Sequence, residues 1–168
     1  MKRSGRLAGM DFRDRQRLYI QRAENELNLA KTIFRLSNEP KMKEAFELKP
    51  DVTFYSNVIS TCYYCVFYSA KAFLLKKGIL TEPPEEHRKT YEEFSRLVES
   101  GDVDVELLKI YRIIAIRAEE LLGILKREKR KRGKFTYYKL PQANMEPAQE
   151  SLENAAKFFR NIYLMLGS

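Results

Sequence analysis

The residues with the clearest chemistry lie in one stretch, 126–139. It holds eight Lys or Arg and one Glu, a net charge of +7, while the whole chain carries +8 at pH 7. Lys and Arg bind phosphates and release their counterions, and the rings of Phe135, Tyr137 and Tyr138 offer faces on which bases can stack. The stretch therefore predicts binding to RNA or to a nucleotide.

Seven side chains of this stretch are the predicted contacts: Arg127, Arg130, Lys131, Arg132, Lys134, Tyr137 and Tyr138. An alternative is that the cations only complement the C-terminal end of a helix dipole and that the rings pack onto the protein body. The chain would then be an interaction scaffold without nucleic-acid binding. Capping needs one or two cations, whereas seven net charges repel one another, which favours the binding hypothesis.

The only histidine, His87, lies just inside a Glu-rich helix start. Imidazole can exchange a proton near neutral pH, and the neighbouring acids predict a raised proton affinity or a capping role. A lone histidine is more often structural than catalytic. The glutamate doublets 85–86, 92–93 and 119–120 do not share one helix face, so they are interpreted as surface acids.

Cys62 and Cys65 have C-x-x-C spacing inside a continuous helical pattern. A zinc site needs four ligands, and one histidine cannot complete a site with these two thiols. We therefore expect buried structural thiols, no metal and no cofactor. The scattered glycines form no phosphate-binding loop.

Apolar residues at steps of three and four residues indicate helices that can position these groups. The predicted spans are about 14–38, 41–48, 54–77, 81–100, 103–130 and 145–166, with a basic loop at about 131–143. This pattern predicts an all-α, up-and-down antiparallel bundle of four main helices plus a short extra helix. Residues 1–13 are expected to be a flexible basic lead-in, and 14–168 a single domain.

The predicted helix at 54–77 is apolar nearly all round. Such a helix is expected at the centre of a fold or in a subunit interface, and we predict both, hence a homodimer. No run approaches the ~18 apolar residues of a membrane span, and no apolar stretch of signal-peptide length follows the N-terminus. A cytoplasmic location without membrane contact is therefore expected.

The chain resembles the prokaryotic HEPN-domain proteins of the nucleotidyltransferase-associated type over about residues 18–166. Four segments carry the resemblance through their order and spacing. They are the helix through Ala23 and 27–30, the aromatic helix 63–78, the segment 86–94, and 132–137 followed by 151–159.

The resemblance implies an antiparallel helical bundle that forms homodimers. It also implies a nucleotidyltransferase partner in a toxin–antitoxin pair. Toxic members resemble metal-independent ribonucleases that use an Arg followed, after four to six residues, by a His. Here no histidine follows Arg132, and the corresponding positions hold Tyr137, Tyr138 and Lys139.

Cleavage of RNA without a metal requires a group that accepts the 2′-hydroxyl proton near neutral pH. The ordinary pKa of tyrosine, about 10, is several units too high for that role. The sequence therefore predicts a non-catalytic binding module. The alternative is a variant ribonuclease in which Arg132 holds the phosphate and Tyr137, Tyr138 or His87 transfers the proton.

Overall fold

The computed structural model describes residues 9–131 and 144–167, with the backbone alone for 122–131. It contains these helices: α1 (Phe12–Asn38), α2 (Pro40–Ala45), α3 (Tyr55–Lys76), α4 (Glu86–Glu99), α5 (Val105–Lys131) and α6 (Met145–Gly167). No β-strand occurs in the described ranges, which confirms the all-α prediction. Helix α1 begins two residues before the predicted start at Asp14, and residues 1–8 of the predicted lead-in lie outside the described ranges.

Helix α3 is the central element. It packs against α1, α4, α5 and α6, and fourteen of its 22 residues are buried, so its predicted central position is confirmed. Because the chain itself covers these apolar sides, the composition of α3 no longer argues for a subunit interface. The homodimer remains a prediction.

The same helix corrects the expectation that no stretch is apolar enough to span a membrane. An 18-residue window of Tyr55–Lys76 reaches a mean hydropathy of 1.4, which suffices by length and composition. However, 72% of that window is buried inside the protein. A mostly buried core helix satisfies the same criterion, so this finding is weak evidence for a membrane span.

Helix α3 ends at a left-handed glycine, as its sequence predicts. Gly78 has φ +75°, and the Ile79 amide donates to the Leu74 carbonyl at 2.9 Å, which closes the last turn. The segment after this turn leads to α4, which packs against α3.

Helix α4 begins at Glu86 rather than at the predicted position near Thr81. Prolines at 83 and 84 disfavour helical backbone in the residues before them. Thr81 is also held elsewhere, since its hydroxyl pairs with that of Thr90 at 2.7 Å and its carbonyl accepts a hydrogen bond from Lys71 at 3.0 Å.

The inward face of α6 carries Ala148, Ala155, Phe158 and Ile162, all completely buried. Phe158 is the largest side chain of this face, whereas the neighbouring Phe159 is half-buried. The ring centroid of Phe158 lies 5.5 Å from that of Phe94 and 5.9 Å from that of Tyr111. Because α6 packs against α1, α3 and α5 together, these contacts set its rotation.

Candidate functional site

A cavity of about 840 Å³ opens between α3, α4 and α5. Its volume falls within the range of about 300–1,000 Å³ typical of small-molecule sites. The lining comes mainly from aromatic and charged side chains: Tyr63, Tyr64, His87, Arg88, Tyr91, Tyr111, Arg112, Ala115, Ile116, Ala118 and Glu119.

His87 stands in a stack of rings at one wall of this cavity. Its ring centroid is 4.1 Å from that of Phe67, with an interplanar angle of 17°. The Tyr63 hydroxyl is 2.8 Å from His87 Nδ1, and the two rings are also stacked, 5.7 Å apart. These contacts from α3 fix the orientation of the imidazole.

The rings exclude water from part of the His87 imidazole, although the residue stays exposed, and this desolvation lowers its pKa from the ordinary 6.5. The Lys71 ammonium lowers it further, and the Glu86 carboxylate opposes both effects. Glu86 does raise the proton affinity of His87, as expected, but desolvation outweighs it and the net pKa is lowered. His87 is not a cap, since α4 follows Glu85 and lacks a side-chain capping hydrogen bond.

Glu86 raises the pKa of His87, but less than burial lowers it, and Glu86 is itself engaged by Lys71. The Lys71 side chain is only 2% exposed, and its ammonium pairs with Glu86 and donates to the Thr81 carbonyl at 3.0 Å. The same nitrogen lies 4.7 Å from the centre of the Tyr19 ring. Several partners thus offset the desolvation of a buried charge, and Glu86 is a half-buried ion-pair partner rather than the predicted surface acid.

Tyr111 lines the cavity and carries a hydroxyl that is buried. The residue is completely buried, and its hydroxyl has no hydrogen-bond partner among the described residues. Burial raises its pKa well above 10, so the group stays protonated. A buried polar atom without a partner costs about 1–3 kcal/mol, and a ligand atom could offset that cost.

The two arginines of the cavity differ in their surroundings. Arg88 is held by Glu85 at 2.6 Å and by Glu92 at 3.5 Å. Arg112 is exposed, and within the described ranges no carboxylate forms an ion pair with it. Arg112 is therefore the cation available for an incoming anion.

The cavity favours binding over proton transfer. Burial, followed by Tyr64 and Glu119, raises the pKa of Tyr63 to about 12, so this phenol keeps its proton at neutral pH. When Tyr63 donates to His87 Nδ1, the imidazole proton stands on Nε2. In that tautomer Nε2 is a donor and cannot accept a proton.

Cys62 and Cys65 are free thiols, and both are completely buried. Burial raises the pKa of Cys62 to about 12 and also raises that of Cys65. This confirms the predicted buried structural thiols. The described part of the chain contains no group of three or more His, Cys, Asp or Glu side chains able to hold a metal ion.

The residues predicted from the basic stretch are mostly beyond what the structure describes. Positions 127, 130 and 131 belong to the helical backbone of α5, whereas Arg132, Lys134, Tyr137 and Tyr138 lie outside the described residues. The proximity of these groups to His87, on which the ribonuclease alternative depends, is therefore untested.

Sequence reasoning missed the role of α5 in the cavity. Arg112, Ile116 and Glu119 lie four and three residues apart, a spacing that places them on one helix face. Ile116 is 46% exposed between the two charges. The signal in the sequence was an apolar side chain between two charged ones on the outer face of an amphipathic helix, which indicates a binding surface there. Glu119 is exposed, as predicted for a surface acid.

Comparison of the chain with protein-family models, with curated proteins and with solved structures finds no match.

Proposed function

We propose that this chain is a HEPN-type helical protein that binds RNA or a nucleotide without cleaving it. The observation that carries the proposal is the net charge of +7 within residues 126–139 of a chain whose total is +8. The backbone of α5 extends to Lys131, so the first cations of this segment follow one another on a single helix. Such a charge density favours phosphate contacts over ordinary helix capping.

The finer architecture belongs to the same proposal. In this proposal α1, α3, α5 and α6 are the main helices of an up-and-down antiparallel bundle, and the chain forms a homodimer, as the resemblance implies, in the cytoplasm. A nucleotidyltransferase is the implied protein partner. Light scattering of the purified chain tests the dimer, and a monomeric mass at all concentrations would contradict it.

Charge reversal of Arg130, Lys131 and Arg132 to Glu tests the binding function. Each phosphate contact to a single strand contributes about −0.7 to the slope of log affinity against log salt. We expect the triple variant to lose RNA retention at low salt and to make that slope shallower by about 2. Fluorescence anisotropy of a labelled single-stranded RNA, measured over a salt series, gives both quantities.

A control with the same change in net charge is Arg17→Glu, Lys31→Glu, Lys41→Glu, at three exposed positions on α1 and α2. This control should retain the wild-type slope, because distant charges act only through a screened field. Equal losses in both triple variants, or an absence of RNA binding by the wild type, would contradict the proposal.

The ribonuclease alternative is tested separately. Pure protein is incubated with RNA and EDTA, beside the variant Tyr137→Phe, Tyr138→Phe, His87→Ala. The proposal expects intact RNA in both samples. Cleavage by the wild type that the variant lacks would replace a binding module with a metal-independent ribonuclease.

A further inference from the structure

We propose that the cavity between α3, α4 and α5 binds a small molecule in which a planar aromatic ring carries one anionic group. This site is distinct from the basic segment and does not rest on the proposed function. Its volume, about 840 Å³, is sufficient for a ligand of one or two rings with substituents.

The aromatic side chains that line the cavity indicate that the ligand contains a planar ring. Tyr63, Tyr64 and Tyr91 line the cavity and are half-buried, so part of each ring is available for stacking. The His87 ring stands beside them and is held in place by Phe67, 4.1 Å away between centroids. Aromatic side chains fixed in this way bind planar rings through offset-stacked or edge-to-face contacts.

Two polar groups indicate what the ring must carry. Tyr111 lines the cavity, and within the described ranges its buried hydroxyl lacks any partner, so a ligand seated deeply enough to reach it would satisfy it with a polar atom. Arg112, the next residue along α5, lines the same cavity and forms no ion pair with a described carboxylate. Its guanidinium suits a carboxylate or phosphate, which it can bind through two parallel hydrogen bonds.

The other charges make Arg112 the determinant of selectivity for anions. Arg88 is already engaged by Glu85 and Glu92. Glu119 also lines the cavity, where it can accept a hydrogen bond from an amino or hydroxyl group and would repel a second anionic group nearby. The cavity is therefore suited to one anionic group at the Arg112 side.

Two classes of compound have this chemistry, aromatic carboxylates and nucleotides, and their binding can be compared directly. Calorimetric titration uses indole-3-carboxylate and adenosine 5′-monophosphate as anionic probes, with indole-3-carboxamide and adenosine as their uncharged counterparts. We expect the wild type to bind at least one anionic probe about tenfold or more tightly than its counterpart. The anionic probe with the higher affinity identifies the ligand class as an aromatic carboxylate or a nucleotide.

Three variants test the assignment of the residues. Arg112→Gln should weaken the anionic probe about tenfold and leave its uncharged counterpart unchanged. Tyr111→Phe keeps the ring and should weaken both members of the pair about fivefold. Ala115→Phe fills the cavity and should abolish binding, with an unchanged helical circular dichroism spectrum as the check on folding.

Matched controls lie on α6. Tyr163→Phe and Arg160→Gln make the same chemical changes at exposed positions away from the cavity and should leave both affinities within about twofold. The proposal is overturned when neither anionic probe binds the wild type at millimolar concentration, or when Ala115→Phe leaves binding intact.

The same variants separate this site from the proposed RNA-binding segment. Arg112→Gln and Ala115→Phe should retain binding of single-stranded RNA, whereas the variant reversed at 130–132 should retain binding of the aromatic anion. A wild type that binds the aromatic anion but no RNA would contradict only the proposed function, and a wild type that binds RNA but neither anionic probe would contradict only the cavity assignment.

Discussion

Desolvation is the largest cause of the pKa shifts of His87, Tyr63 and Tyr111, three titratable side chains that line the cavity, although His87 stays exposed and only Tyr111 is completely buried. Desolvation penalises a charged form, so it lowers the pKa of an imidazole and raises that of a phenol. Both shifts favour neutral rings at pH 7. Neutral rings stack on planar ligands and offer hydrogen bonds, and they leave Arg112 as the cationic group without an ion-pair partner among the described lining residues.

His87 should titrate below 6.5 in the folded protein. Because it is the chain's only histidine, its imidazole signals in a proton–carbon NMR titration are assigned without ambiguity. An apparent pKa at or above 6.5 would show that Glu86 outweighs burial.

The same shift makes the free energy of unfolding depend on pH. The unfolded state binds the proton more readily, so the contribution of His87 is complete above its unfolded pKa of about 6.5. It is lost as pH falls from there through the lower folded pKa. Urea unfolding of His87→Gln should therefore show a flatter pH dependence than the wild type between about pH 7 and pH 5.

At the scale of helices, the ends of α3 and α4 determine where the cavity lies. The left-handed turn at Gly78 and the stretch held by Thr81 and Thr90 bring α4 back beside α3. The ion pair between Lys71 of α3 and Glu86 of α4 then fixes the first turn of α4. That turn carries His87 to the rings of α3.

Gly78→Ala should lower the free energy of unfolding by about 1–2 kcal/mol, because an L-residue resists the left-handed backbone. Its φ is +75°, and an added Cβ would meet nothing within 4 Å, so backbone strain is the whole cost. Urea denaturation measures the change.

Gly167→Ala is the matched control, since Gly167 lies in the last turn of α6 and an added Cβ there also meets nothing within 4 Å. In a helix, Ala replaces Gly at no cost or with a gain of up to about 1 kcal/mol. Similar destabilisation by both substitutions would show that the turn at Gly78 does not require a left-handed residue.

At the scale of the whole molecule, α3 connects the packing of the bundle to the cavity. Its buried residues contact helices on several sides, and Cys62 and Cys65 lie in the same core cluster as Phe94, Tyr111 and Phe158. A core shared by this many elements is expected to open as one cooperative unit.

Labelling of the thiols with iodoacetamide tests this cooperativity. Cys62 and Cys65 are completely buried, and burial raises the pKa of both, so neither an accessible sulfur nor a thiolate is present in the native state. We expect labelling at about pH 8 to be at least 100-fold slower in native buffer than in concentrated guanidinium.

A third thiol provides the reference rate for this experiment. Asn57→Cys places it at an exposed position of α3, where it should react at the rate of a free thiol without unfolding. Rapid labelling of Cys62 or Cys65 in native buffer would mean that α3 opens locally.

The sequence by itself determined the helical class, the central position of α3 and the concentration of positive charge at 126–139. Each of these follows from local composition or from a periodicity that a single segment carries. The buried thiols were predictable for the same reason, because both cysteines continue the apolar pattern of their helix.

Only the tertiary structure decided the cavity, because its lining comes from α3, α4 and α5, which are far apart in the chain. The rotation of each packed helix depends on its neighbours, which is why Phe158 rather than Phe159 enters the core. Electrostatic partners are equally non-local. The buried ammonium of Lys71 forms an ion pair with Glu86 of another helix. The rings of α3 desolvate His87 of α4 and so favour its neutral form.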